Sequence, residues 1–180
     1  MELQEFLQHR LCGAQRLAVL GVGSTLRGDD GAGVLIVERL LEALPKDAYP
    51  GLLLCAGGTA PENFSGNIRA FRPSHLLVVD AADAGSPPGS IVEIAKKDIG
   101  GPSFSSHMLP LKMMVDYLVN ETGCAVTMLG LQYESIEFGA ELTDSMRDTV
   151  DELTEALSAV LPAVLGEHSI DVNKSLPYDF

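Results

Sequence analysis

The sequence predicts an α/β protein, a mostly parallel twisted sheet of about five strands with helices on both faces. Two observations carry that expectation. Short apolar runs alternate along the chain with segments whose apolar residues recur every three or four positions. The runs themselves, such as Leu17-Ala18-Val19-Leu20 and Leu76-Leu77-Val78-Val79, are continuously apolar rather than alternating. That is the mark of strands covered on both faces, as parallel sheets are.

Each element follows from its own residues. Leu3, Phe6, Leu7 and Leu11 give residues 2–14 a helical spacing that ends near Gly13. Arg16–Gly23 reads as a buried strand running into glycine, and Gly31–Leu44 as an amphipathic helix (Val34, Val37, Leu40, Leu41, Leu44) stopped by Pro45. Gly51–Cys55 is a second buried strand closed by Gly57-Gly58. Ala60–Ala70 is a short helix with Pro61 in its first turn, where a missing N–H is harmless. His75–Ala81 is the third strand. The turn Ser86-Pro87-Pro88-Gly89 precedes Ser90–Ala95, whose alternation suits a strand less fully covered. His107–Val119 is helical through Leu111, Met114, Val115 and Leu118. Cys124–Gln132 is the last strand and Thr143–Leu165 a closing helix that Pro162 kinks or ends.

The chain's 180 residues suit a single domain over 1–165, followed by a polar, aperiodic tail, 166–180, that is a candidate for disorder. A net charge of −13 disfavours nucleic acid and anionic membranes as partners, because phosphate-rich surfaces need clustered Lys and Arg. The acidic N-terminal residues have no basic signal-peptide region, and no apolar run is long enough to span a bilayer. Cys12, Cys55 and Cys124 are odd in number, widely spaced and without a C-x-x-C, so free thiols in a reducing cytoplasm are expected.

Three polar residues fall where the topology puts the carboxyl edge of the sheet. The glycine-rich turn after the first strand, Gly21-Val22-Gly23-Ser24-Thr25-Leu26-Arg27-Gly28-Asp29-Asp30-Gly31, delivers Asp30 to the start of a helix. Asp80 closes the third strand after four apolar residues, and His107 opens the helix beyond the fourth. Open α/β sheets bind ligands at that edge. Two carboxylates and an imidazole suit a divalent transition metal with open coordination positions, or acid–base chemistry. Each residue also has a plainer reading. One of Asp29 and Asp30 can serve as an N-cap, and His107 can be an ordinary helix-start histidine. Asp80 is harder to explain that way, since a carboxylate among apolar strand residues is costly without a partner. The same turn argues against dinucleotides. Leu26 occupies the third glycine position of a G-x-G-x-x-G, two acids face where a pyrophosphate would lie, and Cys55-Ala56-Gly57-Gly58 supplies no ribose contact. No G-x-S-x-G marks a serine hydrolase.

Taken together, these segments resemble the maturation endopeptidases of NiFe hydrogenases. The resemblance is carried by Gly21-Val22-Gly23 with Gly28-Asp29-Asp30-Gly31-Ala32-Gly33, by Gly57-Gly58-Thr59-Ala60-Pro61-Glu62-Asn63, by Arg72 through Asp83, and by Ser105-Ser106-His107-Met108-Leu109-Pro110-Leu111. It runs in order over about 16–165, leaving the N-terminal helix and the tail outside. The Ala-Pro-Glu-Asn and His-Met-Leu-Pro-Leu segments are most similar to the branch serving formate-hydrogenlyase-type and energy-converting hydrogenases. Two positions depart from the family pattern. Ala56 stands where an acid often precedes Gly-Gly, and Ser106 where a threonine is common.

The resemblance implies a cytoplasmic, monomeric peptidase that removes the C-terminal extension of a hydrogenase large-subunit precursor once nickel is inserted. It places nickel recognition, and with it catalysis, on Asp30, Asp80 and His107. The nickel, or another divalent metal, would be held by the substrate and ligated only transiently. A metal near the scissile carbonyl could polarise it and acidify a bound water. Two close carboxylates could instead share a proton and activate water, in the manner of aspartic proteases. The other readings are a non-catalytic metal- or partner-binding protein on this scaffold, and a peptidase of this fold with another protein substrate.

Overall fold

The computed structural model describes residues 2–45, 48–95 and 108–166. It contains the expected sheet, five strands in the order β2-β1-β3-β5-β4. These are β1 (Leu17–Val22), β2 (Leu52–Gly58), β3 (His75–Ala82), β4 (Ile91–Glu93) and β5 (Ala125–Gln132). The first three and β5 run parallel, and β4 lies antiparallel against β5, pairing Ile91 with Leu131 and Glu93 with Leu129.

Among the described residues, five α-helices cover the two faces. Helices α1 (Leu3–Leu11), α2 (Ala32–Ala43) and α5 (Asp144–Leu165) enclose one core with Val19, Leu77, Val79 and Leu129. Helix α4 (Met108–Thr122) and α3 (Ser65–Phe71) enclose the other with Leu20, Leu76, Val78 and Met128. Every residue of β1 is buried, and β3 is buried from Leu76 onward, so the continuous apolar runs mark the central strands.

Several boundaries differ from expectation for local reasons. The second strand runs on through Gly58 and is an outer strand, with Leu52, Leu53 and Leu54 only half-buried. An apolar run alone does not separate an edge from a centre. The turn before α2 winds as a 3₁₀ helix, Gly28–Gly31, and the segment after β2 opens with a second one, Pro61–Phe64, before α3. The fourth strand is shorter than expected, Ile91–Glu93, with one further backbone hydrogen bond to β5 on each side, from Gln132 N–H to Ser90 O and from Ile94 N–H to Met128 O. Pro162 lies inside the last turn of α5, three residues from its end, and its carbonyl accepts the Gly166 N–H. Residues 167–180 lie outside the described residues.

Two glycines set how closely this framework closes. A Cβ on Gly33 would lie 2.3 Å from the Val79 carbonyl oxygen and 2.7 Å from that of Val22, so α2 can begin directly over the ends of β1 and β3. Gly23 has φ +124, and a Cβ there would lie 1.7 Å from the Asp30 carbonyl oxygen. The glycines of the turn thus serve strand–helix contact rather than a phosphate.

Candidate active site

Strand order decides where a site can form. From β1 the chain moves outward to β2, then crosses back to lay β3 on the other side of β1. The connections leaving β1 and β3 depart from neighbouring carboxyl ends, the crevice where open α/β sheets hold ligands. Asp30 sits in the turn after β1, and Asp80 is the sixth residue of β3, paired in register with Gly130. Both are buried, at 4 % and 2 % exposed.

The two carboxylates are held differently. Asp30 Oδ2 accepts the Ser24 N–H at 2.9 Å, which fixes it against its own turn. Among the described residues, Asp80 Oδ2 has no hydrogen-bond partner. A buried, unpartnered carboxylate oxygen must acquire a proton or a cation. Burial is the largest influence on Asp80, and the Asp30 carboxylate adds to it. Together they outweigh a backbone hydrogen bond from Ala81 and push its pKa up to about 7. At neutral pH, Asp80 therefore stands between acid and carboxylate, suited to exchanging a proton.

Neither acid of the pair is a helix N-cap: Gly31 occupies that position for α2, without a side-chain bond. Asp29 has another role. Fully buried, it accepts the backbone N–H groups of Glu134 at 2.9 Å, Ser135 at 3.2 Å and Thr143 at 2.8 Å. The Thr143 hydroxyl, 3.0 Å from both of its oxygens, donates to it as well. Thr143 in turn caps α5, its side chain accepting the Met146 N–H. Asp29 is thus a strut tying the site turn to the segment between β5 and α5. Nothing in its immediate sequence announced this, because its partners lie more than a hundred positions away.

Gln132, 6 % exposed at the end of β5, was also missed. Its Oε1 accepts the Ala84 and Ser86 N–H groups at 2.8 and 3.2 Å and so folds the turn after β3. The signal that singled out Asp80, a polar residue ending an apolar strand, fits Gln132 equally. Tyr133 follows it. Burial, Asp83 and Asp30 raise the pKa of its phenol, so it stays a neutral donor beside the acids.

The third expected site residue, His107, lies outside the described residues, as do Ser105 and Ser106; α4 begins at Met108, directly after it. Among the described residues, no group of three His, Cys, Asp or Glu is placed to hold a metal ion. Cys55 and Cys124 are buried free thiols, and burial pushes Cys55 up to about 11, far from a reactive thiolate. Cys12 is exposed.

Comparison with known proteins agrees with this frame. Residues 34–160 match the family model described as hydrogenase maturation protease. The chain belongs to the hydrogenase maturation protease family. It is 37% identical over 140 residues to the Hydrogenase 3 maturation protease of Escherichia coli, covering 77% of this chain and 86% of that one. The crystal structure of the NiFe hydrogenase maturation protease HycI from Thermococcus kodakarensis superposes with a TM-score of 0.79. Identity there is 29%, with 87% of this chain and 98% of that chain covered. The solution structure of the endopeptidase HycI from Escherichia coli gives 0.68 at 36% identity, over 80% and 90%. This family member is accordingly a peptidase, with the fold of those maturation proteases.

Proposed function

We propose that this peptidase removes the C-terminal extension of a hydrogenase large-subunit precursor after nickel insertion, and that Asp30, Asp80 and His107 read the substrate's nickel. C-terminal processing of the large subunit is the role of the family to which the chain belongs. The observation that carries the nickel reading is the orphaned Asp80 Oδ2 at the switch point, beside Asp30. Two carboxylates alone make a poor cage for a transition metal. They suit an ion whose remaining ligands arrive with it, so the substrate's own metal completes the set. Such a site is a checkpoint, since its binding energy is available only when the precursor is loaded.

Asp80 gives up its proton when it takes a ligand's role. Engagement of the loaded precursor therefore strengthens as pH rises through about 7 and weakens below it. A metal beside the scissile carbonyl would supply Lewis-acid polarisation. A second reading rests on the same carboxylate. With its pKa raised to about 7 beside Asp30, Asp80 can share a proton with its neighbour and activate water without metal chemistry. The reaction would take place in the cytoplasm, on a monomer. No described helix is long and apolar enough to cross a membrane.

The test is to incubate purified protein with precursor, with and without nickel, and follow the C-terminal mass. Loss of a short peptide only from loaded precursor is expected, as is its abolition by Asp30→Asn, Asp80→Asn and His107→Ala with unchanged circular dichroism. Equal cleavage of nickel-free precursor overturns the checkpoint. No cleavage of verified loaded cognate precursor would leave a binding protein on this scaffold.

A further inference from the structure

We infer that Leu26 and Phe138 form a preordered ledge on the rim of the active site that docks an apolar, base-flanked face of the folded precursor. This inference rests on the processing function proposed above. Leu26 is 63 % exposed and Phe138 80 % exposed. Single exposed apolar residues are ordinary, but the backbone segments carrying these two meet although they are 112 positions apart. The Gly139 N–H, adjoining Phe138, donates to the carbonyl of Leu26 at 2.8 Å. Around that bond the two loops are laced together. Gly28 N–H donates to Ala140 O at 3.1 Å, Asp29 N–H to Ser135 O at 3.0 Å, and Arg27 Nε to Ile136 O at 3.2 Å. The Asp29 carboxylate closes the same joint from beneath.

A Phe held in water on so tightly bonded a loop contributes nothing to the core. Because the loops are already ordered, its burial by a partner carries little conformational entropy cost. Aromatic side chains so placed are the usual anchors of protein interfaces. The ledge also fixes its occupant by position and charge. Leu26 lies four residues before Asp30, so a protein feeding a peptide to Asp30 and Asp80 passes over it. Glu137 stands exposed next to Phe138; the exposed Arg27 beside Leu26 is engaged through Nε by the Ile136 carbonyl, and the chain as a whole carries a net charge of −13. The complementary face is therefore apolar and bordered by Lys or Arg.

The experiment measures steady-state cleavage of loaded precursor by wild type, Phe138→Ser, Leu26→Ser and, as a control, Leu41→Ser, an exposed leucine near the far end of α2. Both ledge variants are expected to keep the wild-type Tm and kcat while KM rises about ten-fold. The control should leave KM unchanged, and added salt should raise KM for the wild type. Unchanged KM in both ledge variants overturns the ledge while leaving the processing function intact. A wild type that cleaves nothing overturns the function instead, and the ledge is then read from precursor binding by the same variants. Sedimentation of the free protein supplies the last outcome: a mass that halves in Phe138→Ser assigns the ledge to a second copy of the chain and overturns the precursor as its occupant.

Discussion

At the scale of single residues, the adjacent acids Asp29 and Asp30 are held in different ways. Asp29 carries the hydrogen bonds that join two distant loops, whereas Asp30, among the described residues, accepts a single backbone N–H and acts on Asp80 through its charge. Asp29→Asn is expected to lower stability by about 1–3 kcal/mol, because an amide cannot accept at both oxygens and buried donors lose their partner. Asp30→Asn should leave the Tm nearly unchanged and abolish cleavage. Thermal melts of both variants beside the processing assay check this. A worse loss of cleavage with a normal Tm in Asp29→Asn would reverse the assignment. Asp80 adds a pH signature. Its folded pKa, about 7, lies above the ordinary 3.8 expected of the unfolded chain. Its contribution is therefore fully present below about pH 4 and is lost as pH rises through about 7. Melts from pH 4 to 8 should show wild type losing stability relative to Asp80→Asn with rising pH; parallel curves would contradict the raised pKa.

Among the elements, the helix termini and glycine contacts hold the site in place. Thr143 caps α5 and donates to Asp29 with one hydroxyl, so Thr143→Val removes two interactions together. It should cost about 1–2 kcal/mol, with Thr143→Ser retaining most of it, as denaturant unfolding would report. Much of this level was legible in the sequence. Asp80 could be placed because a carboxylate ending four apolar residues has few innocent explanations, and β1 and β3 were visible as unbroken apolar runs. The strut was not legible, since Glu134, Ser135 and Thr143 become neighbours of Asp29 only once β5 is laid beside β3. The edge position of β2 was hidden for a related reason. Its leucines resemble those of a central strand, and only the strand order shows which face lacks a neighbour.

For the whole molecule, α1 belongs to the fold even though the family resemblance begins after it. Leu7 and Leu11 are fully buried against α5, and Arg10 pairs with Glu93 on β4. Deleting residues 1–12 removes two large core side chains, each worth about 1.5–3 kcal/mol. The truncated protein should melt many degrees lower while any correctly folded fraction keeps its kcat; an unchanged Tm would show that α1 is dispensable.

The two borders of the sheet are unlike. On one side, β5 is shielded by a three-residue strand running the opposite way, too short to template a neighbour. On the other, β2 presents seven residues of outer strand beside a recess lined by Leu41, Leu44, Tyr49 and Leu54. Growth of the sheet by a stray chain is therefore directional. Under crowding or partial unfolding, aggregation would start at β2, on the border away from β4, and a lysine at Leu53 would be the gatekeeper to try against it.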